Sequence, residues 1–309
     1  MTAQPATHKF SFPVFQDKLG SFLFILPAVV IFSVFYIYPF FDIFHLSLFD
    51  WDGISLVKQP IGLENFQELM QDGAWWASMK NAAYITLIAL TFQNVLAFSL
   101  ALACDQEIGF KKFYRVVFFI PPVLSEIVVG LIWSWILYSG TQNGEHIGLL
   151  NYFLNKLGLN HWITNWLSNP KTALTCIAIV HSWKGFGWGF IMFLAGLQTI
   201  DRQLYEAAKV DGAGAMRIFR NVTVPMMLPV IVVVMILTIL GSMQAFVLIL
   251  SMVGQGLVYH TDVPVTRILS AMTGTHRFGY ACAMGVTFGI ILVAVSFVLK
   301  SISKKIQQA

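Results

Sequence analysis

The sequence predicts an all-α membrane protein of six transmembrane helices, and three observations carry that prediction. Of its 309 residues, 57% are hydrophobic and only 11% charged, against about 25% charged in a typical soluble domain. Its mean hydropathy is +0.72, so most of the chain must face lipid or other apolar segments rather than water. The apolar residues also come in unbroken runs of membrane length, which excludes a soluble protein with an enlarged core.

A helix needs about 20 apolar residues to cross the hydrocarbon. Six stretches qualify: 21–41, 82–103, 116–138, 172–197, 226–250 and 280–299. Lipid cannot satisfy open backbone groups, so all six are expected to be helical. Four hold no charged residue, the third holds Glu126 and the fourth Lys184. Residues 1–20 read as a polar N-terminal segment, 21–300 as one six-span domain and 301–309 as a tail. The first run is too long for a signal peptide and reads as a retained anchor.

Orientation follows from the basic residues. Twelve, from Lys9 and Lys18 to Lys300, Lys304 and Lys305, fall on one side; Lys58, Lys80, Lys156, Lys171, Arg267 and Arg277 fall on the other. Basic residues favour the cytoplasmic side, which puts both termini there. The net charge of +4 belongs to this anchoring, so no nucleic-acid partner is inferred. Cys104, Cys176 and Cys282 are odd in number and apolar in setting, which speaks for packing and against a disulfide framework or metal site. Between the third and fourth stretches, Leu150, Phe153, Leu154 and Leu157 recur at helical spacing before Trp162 and Trp166. They read as a short amphipathic helix at the outer interface or as a plain membrane anchor.

The loop 198–225 is the most informative segment. Asp201 is placed to cap a short helix carrying Glu206, Ala207 and Ala208, and Gly212 permits the left-handed turn that ends it. A second helix with Ile218 and Phe219 follows before Pro225. This loop resembles the EAA loop of ABC-importer permeases: Glu206-Ala207-Ala208, Gly212 and Pro225 match in register, with Val222 and Val224 in place of Ile and Leu. Tyr38-Pro39, Leu46-Ser47-Leu48-Phe49, Ile61-Gly62-Leu63-Glu64-Asn65-Phe66 and Arg115 through Pro121 resemble the first-permease type of the maltose-transporter family. So does Leu204 through Ala213, and the likeness covers nearly the whole chain.

The resemblance implies a type I ABC importer fold in a bacterial plasma membrane. It also implies a second, different permease as partner, two ATP-binding subunits and an external solute-binding protein. The loop, through Glu206, Ala207, Ala208 and Gly212, would dock on the ATPase as a coupling helix. The chain contains no Gly-Lys dipeptide and so no Walker A loop. ATP and Mg would be used by the partner subunits, with no cofactor bound here and no enzymatic activity.

Polar groups at mid-membrane depth are the first candidates for solute contacts, because a charge there costs about 2.5–3.5 kcal/mol by insertion scales. Glu126 is the eleventh of 23 residues in its stretch and Lys184 the thirteenth of 26 in its own, so both are expected near the midplane. His181, Lys184, Gly185 and Trp188 share one helix face by spacing, as do Thr238, Gly241, Ser242 and Ala245. In the maltose-type family these three spans hold the sugar, and the local motifs carry that role onto those eight residues and Glu126. Sugars are bound by hydrogen-bonding groups among aromatic faces, and the set supplies both. The carboxylate and amine depart from the maltose case, where neutral groups hold the sugar. Ser242 and Thr238 equally fit bonds within their own helix, and Gln244 and Asn94 fit bonds between helices.

The expected function is therefore import of a carbohydrate or polyol by alternating access. An ABC permease for an amino acid or ion is the alternative within the class. A proton-coupled transporter using Glu126 and His181 is a further one, against which the loop's register speaks. An intramembrane enzyme has no support: no two histidines are four residues apart and no His-Glu-x-x-His occurs.

Overall fold

The structure, a computed structural model, describes residues 18–106, 109–142, 145–146, 148–254 and 260–308. Most of the expected N-terminal segment, Lys9 included, lies outside these residues. So do the side chains of Lys18, Lys304 and Lys305.

The first span is α1 (Lys18–Phe32), a π turn (Ser33–Ile37) and α2 (Tyr38–Leu46). A two-stranded hairpin, β1 (Phe49–Asp50) and β2 (Gln59–Pro60), then leads to α3 (Glu64–Gln71). The second span runs through α4 (Gly73–Ile88), a π turn (Ala89–Gln93) and α5 (Asn94–Asp105). It starts earlier than its apolar run because Asp72 caps it, accepting from the Ala74 and Trp75 amides at 2.8 and 3.2 Å.

The expected continuous span 116–138 is corrected to two helices, α6 (Lys111–Val123) and α7 (Glu126–Ile136), bent by 93°. Pro121 and Pro122 remove two amide donors and crowd the preceding turn, and extended backbone at Leu124 and Ser125 redirects the chain. The hairpin strands β3 (Thr141–Gln142) and β4 (Glu145–His146) and helix α8 (Leu149–Lys156) follow. The amphipathic segment is helical as its spacing predicts, but Leu150 and Trp166 pack on the core while Phe153, Leu157 and Trp162 stay exposed.

The fourth span is one unbroken helix, α9 (Ala173–Leu197). The loop carries α10 (Arg202–Val210) and α11 (Ala215–Ile218), and a π turn (Phe219–Thr223) enters α12 (Val224–Met243). The expected stretch 226–250 is corrected too: α12 ends at Met243, and a separate α13 (Val247–Val253) follows. Helix α14 (Pro264–Thr273) and the last span, α15 (Phe278–Gln308), complete the described chain. Five described helices are long and apolar enough to cross a membrane, and six spans result if α6–α7 counts as one.

Two of the π turns have a common cause. A proline ring clashes with the carbonyl four residues back. For Pro39 and Pro225 those are Phe35 and Asn221, both inside a widened turn. The core is organised on α9. Its N-terminal half meets α4, α7 and α13 around Ile177, Val180, Val129 and Leu248, and its C-terminal half meets α5 and α12 around Phe190, Phe193, Ala97 and Met227. A third cluster joins α3, α4, α12, α14 and α15 around Leu69, Trp75, Tyr280 and Met284. Cys104 packs in the second cluster and Cys176 against the first, with all three thiols free.

Polar ties seat the outer elements on this frame. Arg277 donates to both carboxylate oxygens of Glu68 at 2.6 and 2.5 Å, joining the start of α15 to α3. That guanidinium holds the Glu68 carboxyl below the usual carboxylate range. Buried Asn65 donates from Nδ2 to the carbonyls of Ser47 and Phe49 at 2.9 and 3.0 Å, pinning the end of the first span to α3. Replacing it leaves buried carbonyls unpaired, at about 1–3 kcal/mol. We therefore predict that Asn65→Leu lowers the thermal unfolding midpoint of the detergent-purified protein. An unchanged midpoint would show that this tie is dispensable.

Candidate functional site

A cavity of about 320 Å³ opens between α7, α9, α12 and the π turn of the second span, next in sequence to the breaks at 124–125 and 244–246. Glu126, His181, Lys184, Gly185, Trp188, Thr238, Gly241 and Ser242 line it. Eight of the nine residues singled out in the sequence thus share one wall. Ala245 is buried in the break between α12 and α13, off that wall. The spacing that put it on the face of Thr238 and Ser242 holds only while the helix continues.

Glu126 is the first residue of α7, and not the middle of a helix, so the bend delivers its carboxylate to the cavity. Lys184 approaches from α9, with Nζ 3.6 Å from Glu126 Oε1. The lysine side chain is 15% exposed and the glutamate 42%, so the pair is closed on one side and open on the other. His181 Nε2 lies 3.1 Å from Ser242 Oγ, tying α9 to α12. Thr238 donates to Asn94 Oδ1 at 3.1 Å, so Asn94 serves as a bond between helices. Gln244 is exposed. Trp188 offers the aromatic surface, held edge-on by Phe119 at 5.4 Å between ring centres.

Sequence reasoning missed Gln93, Gly189, Met192, Val234 and Leu237, which also line the cavity. Only Gln93 carried a usable signal, being a polar residue beside Asn94 in a stretch without charge. The lining therefore combines a carboxylate, an amine, an imidazole, hydroxyls and a carboxamide with an indole face and aliphatic walls. That suits a hydroxylated organic solute, held by directional bonds and not by bulk apolar contact.

The loop is the second site. Asp201 caps α10, accepting from the Gln203 amide at 2.9 Å. The helix ends with Gly212 at φ +72°. There the Gly212 amide donates to Lys209 and the Ala213 amide to Ala208, at 3.0 and 2.9 Å. This pair of bonds is the glycine-dependent end that satisfies the last helical carbonyls. Glu206, Ala207 and Gly212 are exposed and Ala208 half-buried, and Tyr205 Oη is 3.3 Å from Thr223 Oγ1 at the root of α12. That contact ties α10 to the root of the helix that lines the cavity.

Comparison with known proteins places this architecture. The family model described as a binding-protein-dependent transport system inner membrane component matches residues 19–308. A probable ABC transporter permease protein of Bacillus subtilis, YurN, is 31% identical over 91% of this chain and 94% of its own. The diacetylchitobiose uptake system permease NgcF of Streptomyces coelicolor is 30% identical over 97% of this chain and 84% of its own. Among solved structures, a bacterial alginate ABC transporter in complex with its alginate-pentasaccharide-bound periplasmic protein superposes with a TM-score of 0.81. It is 22% identical and covers 96% of this chain and 97% of that one, a likeness of fold. The chain belongs to the binding-protein-dependent inner membrane transport components, as a multi-pass permease subunit of an ABC importer and not an enzyme.

Proposed function

We propose that this permease imports a carbohydrate or polyol through the cavity between α7, α9 and α12. One observation carries the reading: eight motif-matched positions from three separate helices converge on one cavity. The diacetylchitobiose relative supports the solute class. Glu126, His181, Lys184, Gly185, Trp188, Thr238, Gly241 and Ser242 hold the solute, with Ala245 supporting from behind. A solute-binding protein delivers it from outside. A second, different permease completes the path, and two ATP-binding subunits, using ATP and Mg, dock on α10 and drive alternating access. Both termini are cytoplasmic.

The assembled transporter in vesicles is offered labelled maltose, trehalose, diacetylchitobiose, sorbitol and, for the alternative class, glutamine. Uptake of a sugar or sorbitol is expected; uptake of glutamine alone overturns the solute class. On the imported solute, Glu126→Gln and Lys184→Met are each expected to lose about tenfold, or roughly 1.4 kcal/mol. A fully buried pair is worth about 3–5 kcal/mol when broken, and this one is open on one side. The double variant should recover part of the loss, whereas strictly additive losses would remove the coupling.

For the loop, Glu206→Lys and Gly212→Val are expected to abolish uptake in a protein that still inserts. The first inverts a charge on the docking helix, and the second forces a β-branched residue to positive φ. Normal uptake with normal solute-stimulated ATPase activity in both rules out coupling through α10. Orientation is read from a cysteine placed at Gln307 on a cysteine-free background, which should resist an impermeant label in intact cells; labelling from outside inverts the topology.

A further inference from the structure

The polar side chains of the cavity wall are mostly paired with one another: Glu126 with Lys184, His181 with Ser242, Thr238 with Asn94. Gln93 is different. Its side-chain oxygen is buried and has no hydrogen-bond partner among the described residues, and the residue as a whole is 7% exposed while lining the cavity. A buried acceptor left unpaired is costly, which is why nearly all are satisfied in proteins.

Three further features show that the position is built. Gln93 closes the π turn of residues Ala89–Gln93, and no proline in the second span accounts for that turn as Pro39 and Pro225 account for the others. Such single wide turns cluster at functional positions because they re-aim one side chain without ending the helix. The carboxamide lies against Gly185 of α9, where an added Cβ would come within 2.6 Å of its oxygen and 3.0 Å of its nitrogen. Only glycine there leaves the amide its place. Gly185 and Lys184 are adjacent, so the amide stands next to the charge pair on the same wall.

We propose that Gln93 is a solute contact and a specificity-determining residue of this transporter. Its carboxamide bonds neighbouring hydroxyls of the solute, with Gly185 positioning it. A carboxamide presents one acceptor and two donors side by side, and half a turn about its terminal bond exchanges them without moving a carbon atom. Two adjacent sugar hydroxyls offer the complementary set. The inference rests on the cavity being the solute path, and it adds the second span to the helices that read the solute.

The test uses the assembled transporter on a cysteine-free background. A cysteine at Met192, an aliphatic wall position of the cavity, reports occupancy through its labelling by an impermeant methanethiosulfonate. Maltose, trehalose, diacetylchitobiose and sorbitol are titrated against that labelling. In the solute that protects, Gln93→Met is expected to raise the half-protecting concentration about 5- to 30-fold, the span of one or two polar contacts. Gly185→Ala should raise it similarly, and Gly185→Ala added to Gln93→Met should add little further loss. Protection with an unchanged midpoint in Gln93→Met overturns this inference and leaves the cavity reading standing. Protection by no solute, even before Gln93 is changed, overturns the cavity reading and this inference with it.

Discussion

A backbone amide or carbonyl left open in hydrocarbon costs several kcal/mol, so a chain in lipid can be irregular only where protein or a water-filled cavity covers it. Here two described interruptions fall between α6 and α7 and between α12 and α13, and the helices that follow them, α7 and α13, pack on each other. Ser251 of α13 reaches the carbonyl of Glu126 at 3.4 Å, and Gly130 of α7 packs against Ser251. The cavity lies beside this contact, lined by the start of α7, the last turns of α12 and one face of α9.

The charge pair in that space has to be weighed in the same terms. A lone charge at the centre of a span costs about 2.5–3.5 kcal/mol by insertion scales, and a fully buried pair holds its partners strongly. With its glutamate 42% exposed, the pair of Glu126 and Lys184 sits between that limit and the about 0–1 kcal/mol of a surface pair. It is strong enough to keep both charges compatible with the bundle. It is weak enough that a competing polar group could replace part of it. The tighter polar contacts, His181 to Ser242 and Thr238 to Asn94, instead hold α9, α12 and the second span at fixed separation.

What the sequence disclosed depended on how far a single periodicity ran. Along α9, 25 residues keep one helical phase, so the shared face of His181, Lys184, Gly185 and Trp188 was legible by counting. The same counting failed at Ala245, two residues past a helix end, and it placed Glu126 in mid-helix where the chain turns by 93°. The adjacent prolines Pro121 and Pro122 permit either a kink or a break, and composition does not distinguish the two. Gln93 was hidden for a related reason: a π turn without proline shifts the helical phase and leaves no mark in composition. The first helix of the loop was legible because its geometry is local, with an aspartate cap at one end and a glycine at positive φ at the other; the second ends at Ile218, and Phe219, expected in it, opens a π turn instead.

Exposed apolar surface means different things on different parts of this chain. The most apolar window of the first span has no buried residue. In lipid this calls for no protein partner, because acyl chains are as apolar as the side chains they meet. Helix α10 cannot be read that way. Asp201, Arg202, Glu206, Lys209 and Asp211 keep it out of the hydrocarbon, yet Val210 is 88% exposed and Met216, at the start of α11, 76%. Apolar side chains held among charges on a rigidly capped turn lower their free energy only when another protein surface covers them. Exposure is therefore costly on α10 and α11, where water meets it, and free on the larger bare face of α1, where lipid does.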